Sequence, residues 1–162
     1  MRILFVCLGN ICRSPTAEGV LRHRLVAAGL GADVDVESAG TGDWHIGSPP
    51  DRRATAAAAS RGVALESRAQ GFDPSHFDEF DLILAMDRQN LADVRARAPH
   101  AAATGKLHLF REYDPLAIES GDLEVPDPYF GGDQGFEDVL DMIERACDGL
   151  IAEIRSATAA GG

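Results

Sequence analysis

The chain has 162 residues, 45% hydrophobic and 25% charged, enough for one globular core. A formal net charge of −11 argues against nucleic acid as a partner, because a phosphate backbone demands a basic face. No apolar run approaches the roughly 20 residues that span a bilayer, no leader pattern opens the chain, and three cysteines make no secreted disulfide framework, so the cytoplasm is the expected compartment.

In chain order, an apolar strand is predicted first, Arg2 to Val6, inside the apolar run Ile3–Leu8. It leads into Cys7-Leu8-Gly9-Asn10-Ile11-Cys12-Arg13-Ser14, after which a helical pattern over Ala17–Ala28 ends at Gly29. Ser14 suits the N-cap of that helix and Pro15 its first position. Further strands are predicted at Val34–Val36, Leu82–Met86 and Leu107–Phe110. Further helices are predicted at Arg52–Arg61, Gln89–Ala98 and roughly Phe136 to Ala157, the first of them carrying the alanine stretch Ala54 to Ala59. Strands alternating with helices predict an α/β fold, a parallel sheet covered on both faces, with residues 1–162 as one domain. Two long connections, Thr41 to Asp51 and Arg111 to Asp133, are expected to wall a site on the first loop, because such sheets bind ligands at strand carboxyl ends.

The first loop carries the chemistry. N–H groups in a turn between strand and helix converge on an anion, and the helix adds the positive end of its dipole. The same surroundings favour the thiolate of Cys7. Five residues separate Cys7 from Arg13, so the loop can wrap a phosphate and the guanidinium can grip two of its oxygens. Leu8, Gly9, Asn10, Ile11 and Cys12 complete the cradle. A nucleophile facing an oxyanion cradle is what cleavage of a phosphate ester through a phosphocysteine requires. The plain alternative is a buried structural cysteine beside a helix cap. A proton donor for the leaving oxygen is also needed, and Asp127, held between Pro126 and Pro128, is the candidate. Asp114-Pro115 reads as a turn. Asp87, at the end of another strand, either caps the helix after it or reaches the site. No pair of Cys or His has metal-ligand spacing.

Cys7 to Pro15 with Phe5-Val6 ahead of it, Ser38-Ala39-Gly40-Thr41, and Asp127-Pro128-Tyr129 resemble the low-molecular-weight protein tyrosine phosphatases. The likeness holds in order and spacing over nearly the whole chain. It implies a flavodoxin- or Rossmann-like three-layer sandwich around a four-stranded parallel sheet, with the phosphate loop after the first strand. It implies hydrolysis of phosphotyrosine monoesters, with Cys7 as nucleophile, Arg13 as phosphate clamp and Asp127 as acid and then base. No cofactor or metal is implied. The implied substrate is a phosphotyrosine protein, a tyrosine kinase being one candidate, with inorganic phosphate as product and a monomer as the default state.

Asn10 is expected to hold an awkward loop conformation through hydrogen bonds, and Ser14 to donate to the departing thiolate. Ser38 resembles the family serine that orients the asparagine, or else is a strand-end turn residue. Trp44 and Tyr129 are expected to sandwich a phenyl ring; core packing is the alternative. The resemblance implies a protective disulfide between Cys12 and Cys7, whereas a small buried filler is the bland reading of Cys12. Cys147 reads as core. Ile11 stands where phosphoarginine phosphatases place threonine, which favours an aryl phosphate. No cysteine lies between Cys12 and Cys147, which weighs against arsenate reduction by a disulfide relay. One departure stands out. The family often has a histidine four residues before a glutamine matching Gln70, and here Glu66 occupies that place.

Overall fold

Strands β1 (Arg2–Cys7), β2 (Asp35–Gly40), β3 (Leu82–Ala85) and β4 (Leu107–Leu109) form one parallel sheet in the order β2-β1-β3-β4. These coordinates are a computed structural model, which describes residues 1–161. After Arg2 every residue of β1 is buried, as expected for a strand covered on both faces. The two-residue period of the strand divides its side chains between two cores. Ile3, Phe5 and Cys7 join the cluster under helices α1 (Arg13–Ala27) and α6 (Asp133–Gly161), while Leu4 and Val6 pack with Phe72, Phe77, Phe80 and Val94 on the other face.

The chain runs from β1 outward to β2 and then crosses back to place β3 on the other side of β1. This reversal opens a crevice beyond the carboxyl ends of β1 and β3, the place where doubly wound sheets bind ligands. Cys7 ends β1, and Asp87 follows β3 by two residues. The flavodoxin-like four-stranded architecture implied by the resemblance is the one observed.

Several boundaries differ from the sequence pattern. Helix α1 begins at Arg13 with Cys12 as its N-cap residue, so Ser14 and Pro15 lie inside the first turn and are not the cap and first position. The turn closes early because Thr16 donates its backbone N–H to the Cys12 carbonyl at 3.2 Å. Strand β2 reaches Gly40, well past Val36, because pairing with β1 continues through polar Glu37 and Ser38. Helix α2 (Arg52–Ala59) starts from an Asp51 cap, and α4 (Arg88–Arg95) from an Asp87 cap. A short helix α3 (His76–Glu79) falls where no element was predicted. The connection from Arg111 to Asp133 is not plain loop, since it contains α5 (Pro115–Ser120).

Asp114 anchors that connection. It is fully buried, caps α5 by accepting from Leu116 N–H at 3.0 Å, and faces Arg111 at 3.2 Å and Arg145 at 3.3 Å. Arg111 in turn donates to the Glu124 carbonyl at 2.7 Å, drawing the returning chain back to the sheet. Removing the carboxylate strands a buried guanidinium and loses a cap. Asp114→Ala is therefore expected to cost about 3–5 kcal/mol in urea unfolding; a loss under about 1 kcal/mol would refute this role.

Candidate active site

The loop from Leu8 to Cys12 curls over the Cys7 sulfur. Asn10 donates its backbone N–H to Cys7 Sγ at 3.2 Å, and Ser14 Oγ lies 2.9 Å from the same sulfur. The N–H groups of Gly9, Ile11 and Cys12 make no hydrogen bond among the described residues, so they are free to donate to an anion. The curl requires a left-handed residue. Asn10, at φ 57°, is the only non-glycine residue with positive φ among those described. That conformation costs about 1–2 kcal/mol, and the side chain of Asn10 offsets the cost. Its Oδ1 accepts Gln70 N–H at 3.0 Å, and its Nδ2 donates to Ser14 Oγ at 2.7 Å and Ser38 Oγ at 2.9 Å. Ser38 in turn donates its hydroxyl hydrogen bond to Glu18 Oε1 at 2.8 Å. Gly40 lets β2 end against this loop, since a Cβ there would stand 2.8 Å from the Leu8 carbonyl oxygen.

Arg13 is 3% exposed. Its Nη1 donates to Asp87 Oδ2 at 2.7 Å and to the Val125 carbonyl at 3.0 Å, while Nη2 stands 3.8 Å from Asp127 Oδ2. Burial opposes the charge, but the negative groups Cys7, Asp87 and Asp127 outweigh it and hold the guanidinium above its ordinary value. The Nε and Nη2 edge makes no hydrogen bond among the described residues and is available as a fork for two oxygens. Asp127 is oriented by Tyr129, whose N–H donates to Oδ1 at 3.0 Å. Arg53 holds the same turn from the side, donating to the carbonyls of Tyr129 at 2.8 Å and Gly131 at 3.2 Å. The neighbouring Asp51 donates its N–H to the Ile11 carbonyl at 2.8 Å, so the start of α2 connects the first loop with the acid-bearing turn.

Cys7, Arg13 and Asp127 line one cavity of about 190 Å³ together with Leu8, Gly9, Ile11, Cys12, Trp44, His45, Tyr129 and Phe130. Trp44 is 71% exposed, which rules out core packing for it. Ser38 is a buried link between Asn10 and Glu18 and more than a turn residue. Asp87 does both things weighed for it, capping α4 and holding Arg13. Cys147 lies in the core.

Four contributors were missed. His45 and Phe130 reach the cavity because two loops converge, which no local pattern records. Glu18 was legible in part, since Ser14, Glu18 and Arg22 recur every four residues on one helix face. The Val125 carbonyl has no sequence signal, being backbone. Among the described residues no three His, Cys, Asp or Glu side chains group as metal ligands, and no helix is long and apolar enough to cross a membrane.

A strand-end loop that presents a cysteine to a buried arginine and a carboxylate, on a four-stranded parallel sheet, defines a class of phosphate-handling α/β proteins. Comparison with known proteins makes the class specific. A family model described as low molecular weight phosphotyrosine protein phosphatase matches residues 2–160. A low molecular weight protein-tyrosine-phosphatase of Streptomyces coelicolor is 49% identical over 154 residues, covering 95% of this chain and 93% of the relative. Among solved structures, a protein tyrosine phosphatase from Entamoeba histolytica superposes with a TM-score of 0.92 at 37% identity, covering 98% and 99% of the two chains. A Drosophila arginine phosphatase superposes with a TM-score of 0.88 at 32% identity, covering 95% and 98%. The chain belongs to the low molecular weight phosphotyrosine protein phosphatase family, whose chemistry is cysteine-dependent hydrolysis of phosphotyrosine monoesters.

Cys12 shares the cavity but not the electrostatics expected of a nucleophile. Burial first, and then the charges of Asp51, Cys7 and Asp127, push its thiol up to about 12. At pH 7 it is therefore held as the neutral thiol. Iodoacetamide at neutral pH should label Cys7 and spare Cys12, as read by peptide mass spectrometry. Comparable labelling of both would contradict this assignment.

Proposed function

We propose that Cys7, Arg13 and Asp127 carry out the hydrolysis and that its substrate is a phosphotyrosine side chain on a protein. The observation that carries this reading is the convergence of the Cys7 sulfur, the free edge of the Arg13 guanidinium and the Asp127 carboxylate on one cavity rimmed by Trp44 and Tyr129. The Cys7 thiolate attacks phosphorus while the loop N–H groups and Arg13 hold the equatorial oxygens. The bond from phosphorus to the phenolic oxygen breaks, and Asp127 gives that oxygen its proton. Water then attacks the phosphocysteine and Asp127 takes a proton from it. The sulfur–phosphorus bond breaks, the thiolate departs supported by the Ser14 hydroxyl, and inorganic phosphate leaves.

The aromatic rim supports a substrate that is flat and long enough to reach Cys7 from the mouth, as a phosphotyrosine ring is and phosphoserine is not. The apolar Ile11 on the cavity wall supports an aryl ester over phosphoarginine. In keeping with the family likeness, the chain is proposed to act as one domain, as a cytoplasmic monomer, on targets that include a tyrosine kinase. A peroxide is proposed to oxidise Cys7 to the sulfenic acid, from which the Cys12 thiol displaces water to form a Cys7–Cys12 disulfide, sparing Cys7 from irreversible loss.

Hydrolysis of an aryl phosphate in excess chelator should persist and should favour phosphotyrosine over phosphoserine and phosphoarginine peptides. Cys7→Ser should abolish turnover yet keep phosphate binding, and Arg13→Ala should lose both. Asp127→Ala should slow poor leaving groups by about 10²–10⁴ while sparing good ones, which need little protonation. Equal losses for both kinds of ester would remove Asp127 from the acid role.

A further inference from the structure

Glu18 is 5% exposed on α1, one turn beyond Ser14. A carboxylate so placed is costly unless it is paired. Its partners are the Ser38 hydroxyl at 2.8 Å and the Arg22 guanidinium at 3.2 Å. Nothing in the reaction steps above uses it. Glu66, at the family's histidine position, is exposed and takes no part in these bonds.

The bonds that lead away from Glu18 have a fixed sense. An ionised carboxylate only accepts, so the Ser38 proton points to Glu18. Ser38 Oγ then receives an Asn10 Nδ2 hydrogen at 2.9 Å. Asn10 cannot turn its amide over, because Gln70 N–H is donated to Oδ1 at 3.0 Å. The second Nδ2 hydrogen therefore goes to Ser14 Oγ at 2.7 Å. A thiolate has no proton to give, so the Ser14 proton is directed to Cys7 Sγ at 2.9 Å. Asn10 donates to both serines, so the position of its amide, and not a one-way polarisation, links Ser38 to Ser14.

We propose that Glu18 is a positioning residue for the nucleophile. Its ionised carboxylate holds the Ser38 hydroxyl turned towards it, so that Ser38 Oγ can only accept from Asn10 and keeps the Asn10 amide, and with it Ser14, in place beside the Cys7 thiolate. This inference rests on Cys7 being the nucleophile. The carboxylate remains in touch with solvent through a groove in which Arg22 from α1, Glu37 from β2, and Glu66 and Arg68 from the segment before Gln70 face it. Burial holds the Glu18 carboxyl above the ordinary glutamate value, opposed by Ser38 and Arg22 and aided by Glu37. As pH falls, Glu18 accordingly takes up its proton sooner than a free glutamate, and its support for the thiolate goes with the charge.

Glu18→Gln keeps the shape and an acceptor for Ser38 but removes the charge. The readout is the rate of Cys7 alkylation by iodoacetamide at pH about 6, below the ordinary thiol range. A fall of roughly three- to tenfold is expected, because without the charge-assisted bond the Ser38 hydroxyl is free to turn and Asn10 and Ser14 are held less firmly beside the sulfur. Glu18→Asp should recover part of the loss. The sign is diagnostic. Deleting a negative charge acts through space to favour the thiolate, so faster alkylation would overturn this role.

An unchanged rate with a lowered Tm would also overturn it, leaving Glu18 a structural residue. Ser38→Ala cuts the same chain and should slow alkylation by a similar factor. The double variant should lose little more than either single one. If Glu18→Gln fails to fold, an unaltered alkylation rate in Ser38→Ala overturns the proposal. Alkylation needs no turnover, so a wild-type protein that hydrolyses no aryl phosphate would sink the catalytic reading separately.

Discussion

Burying the Arg13 guanidinium would cost several kcal/mol in lost hydration were it not surrounded by acceptors. Those acceptors come from three separate parts of the chain. Asp87 reaches it from the end of β3, Val125 offers a carbonyl from the segment that leads to the acid-bearing turn, and Asp127 faces it from that turn itself. Val125 also donates its N–H to the Met86 carbonyl at 2.8 Å, joining the same segment to the sheet. One cation thus positions the floor and the carboxylate-bearing wall of the cavity while its other edge makes no hydrogen bond among the described residues. A lysine could not do this, because a single ammonium lacks the planar fork that is held along one side and leaves the other side open.

The strained loop is the second constraint. Asn10 holds a left-handed backbone because its side chain has three partners and its N–H has the sulfur. The partners lie on β2, on α1 and in the segment before Gly71, so the loop is rigid only when the whole fold is assembled. Local strain at a functional loop is maintained by distant packing. The molecule carries a net charge of −11, and yet its cleft is suited to an anion. Oriented N–H groups and one buried guanidinium act at contact distance, whereas surface carboxylates are screened by water and salt.

Some of this was readable from the chain and some was not. Cys7, Arg13 and their spacing were legible because strand, loop and helix start are contiguous, so their geometry follows from local rules. The parallel sheet was legible from apolar runs alternating with amphipathic ones. Asp127 was legible through its flanking prolines and the family likeness. Ser14 was identified as a residue near the sulfur but misassigned as a cap, since a serine before proline fits both roles and only the closed turn distinguishes them. Helix α5 was missed because six residues carry too little periodicity to register.

The amino-acid order alone pointed to a parallel α/β sheet and to Cys7 and Arg13, through residue type and short-range spacing, and, with the family likeness, to Asp127. Tertiary structure decided that Asp87 and Val125 hold Arg13, that Glu18 stands behind Ser38, and that His45 and Phe130 complete the cavity. Those contacts join residues tens of positions apart, and their meeting follows from how β1 and β3 lie side by side and how two loops cross above them. Helix spacing could place Glu18 on the same face as Ser14. Only packing against β2 could put its carboxylate against Ser38, where burial makes the hydrogen bond strong.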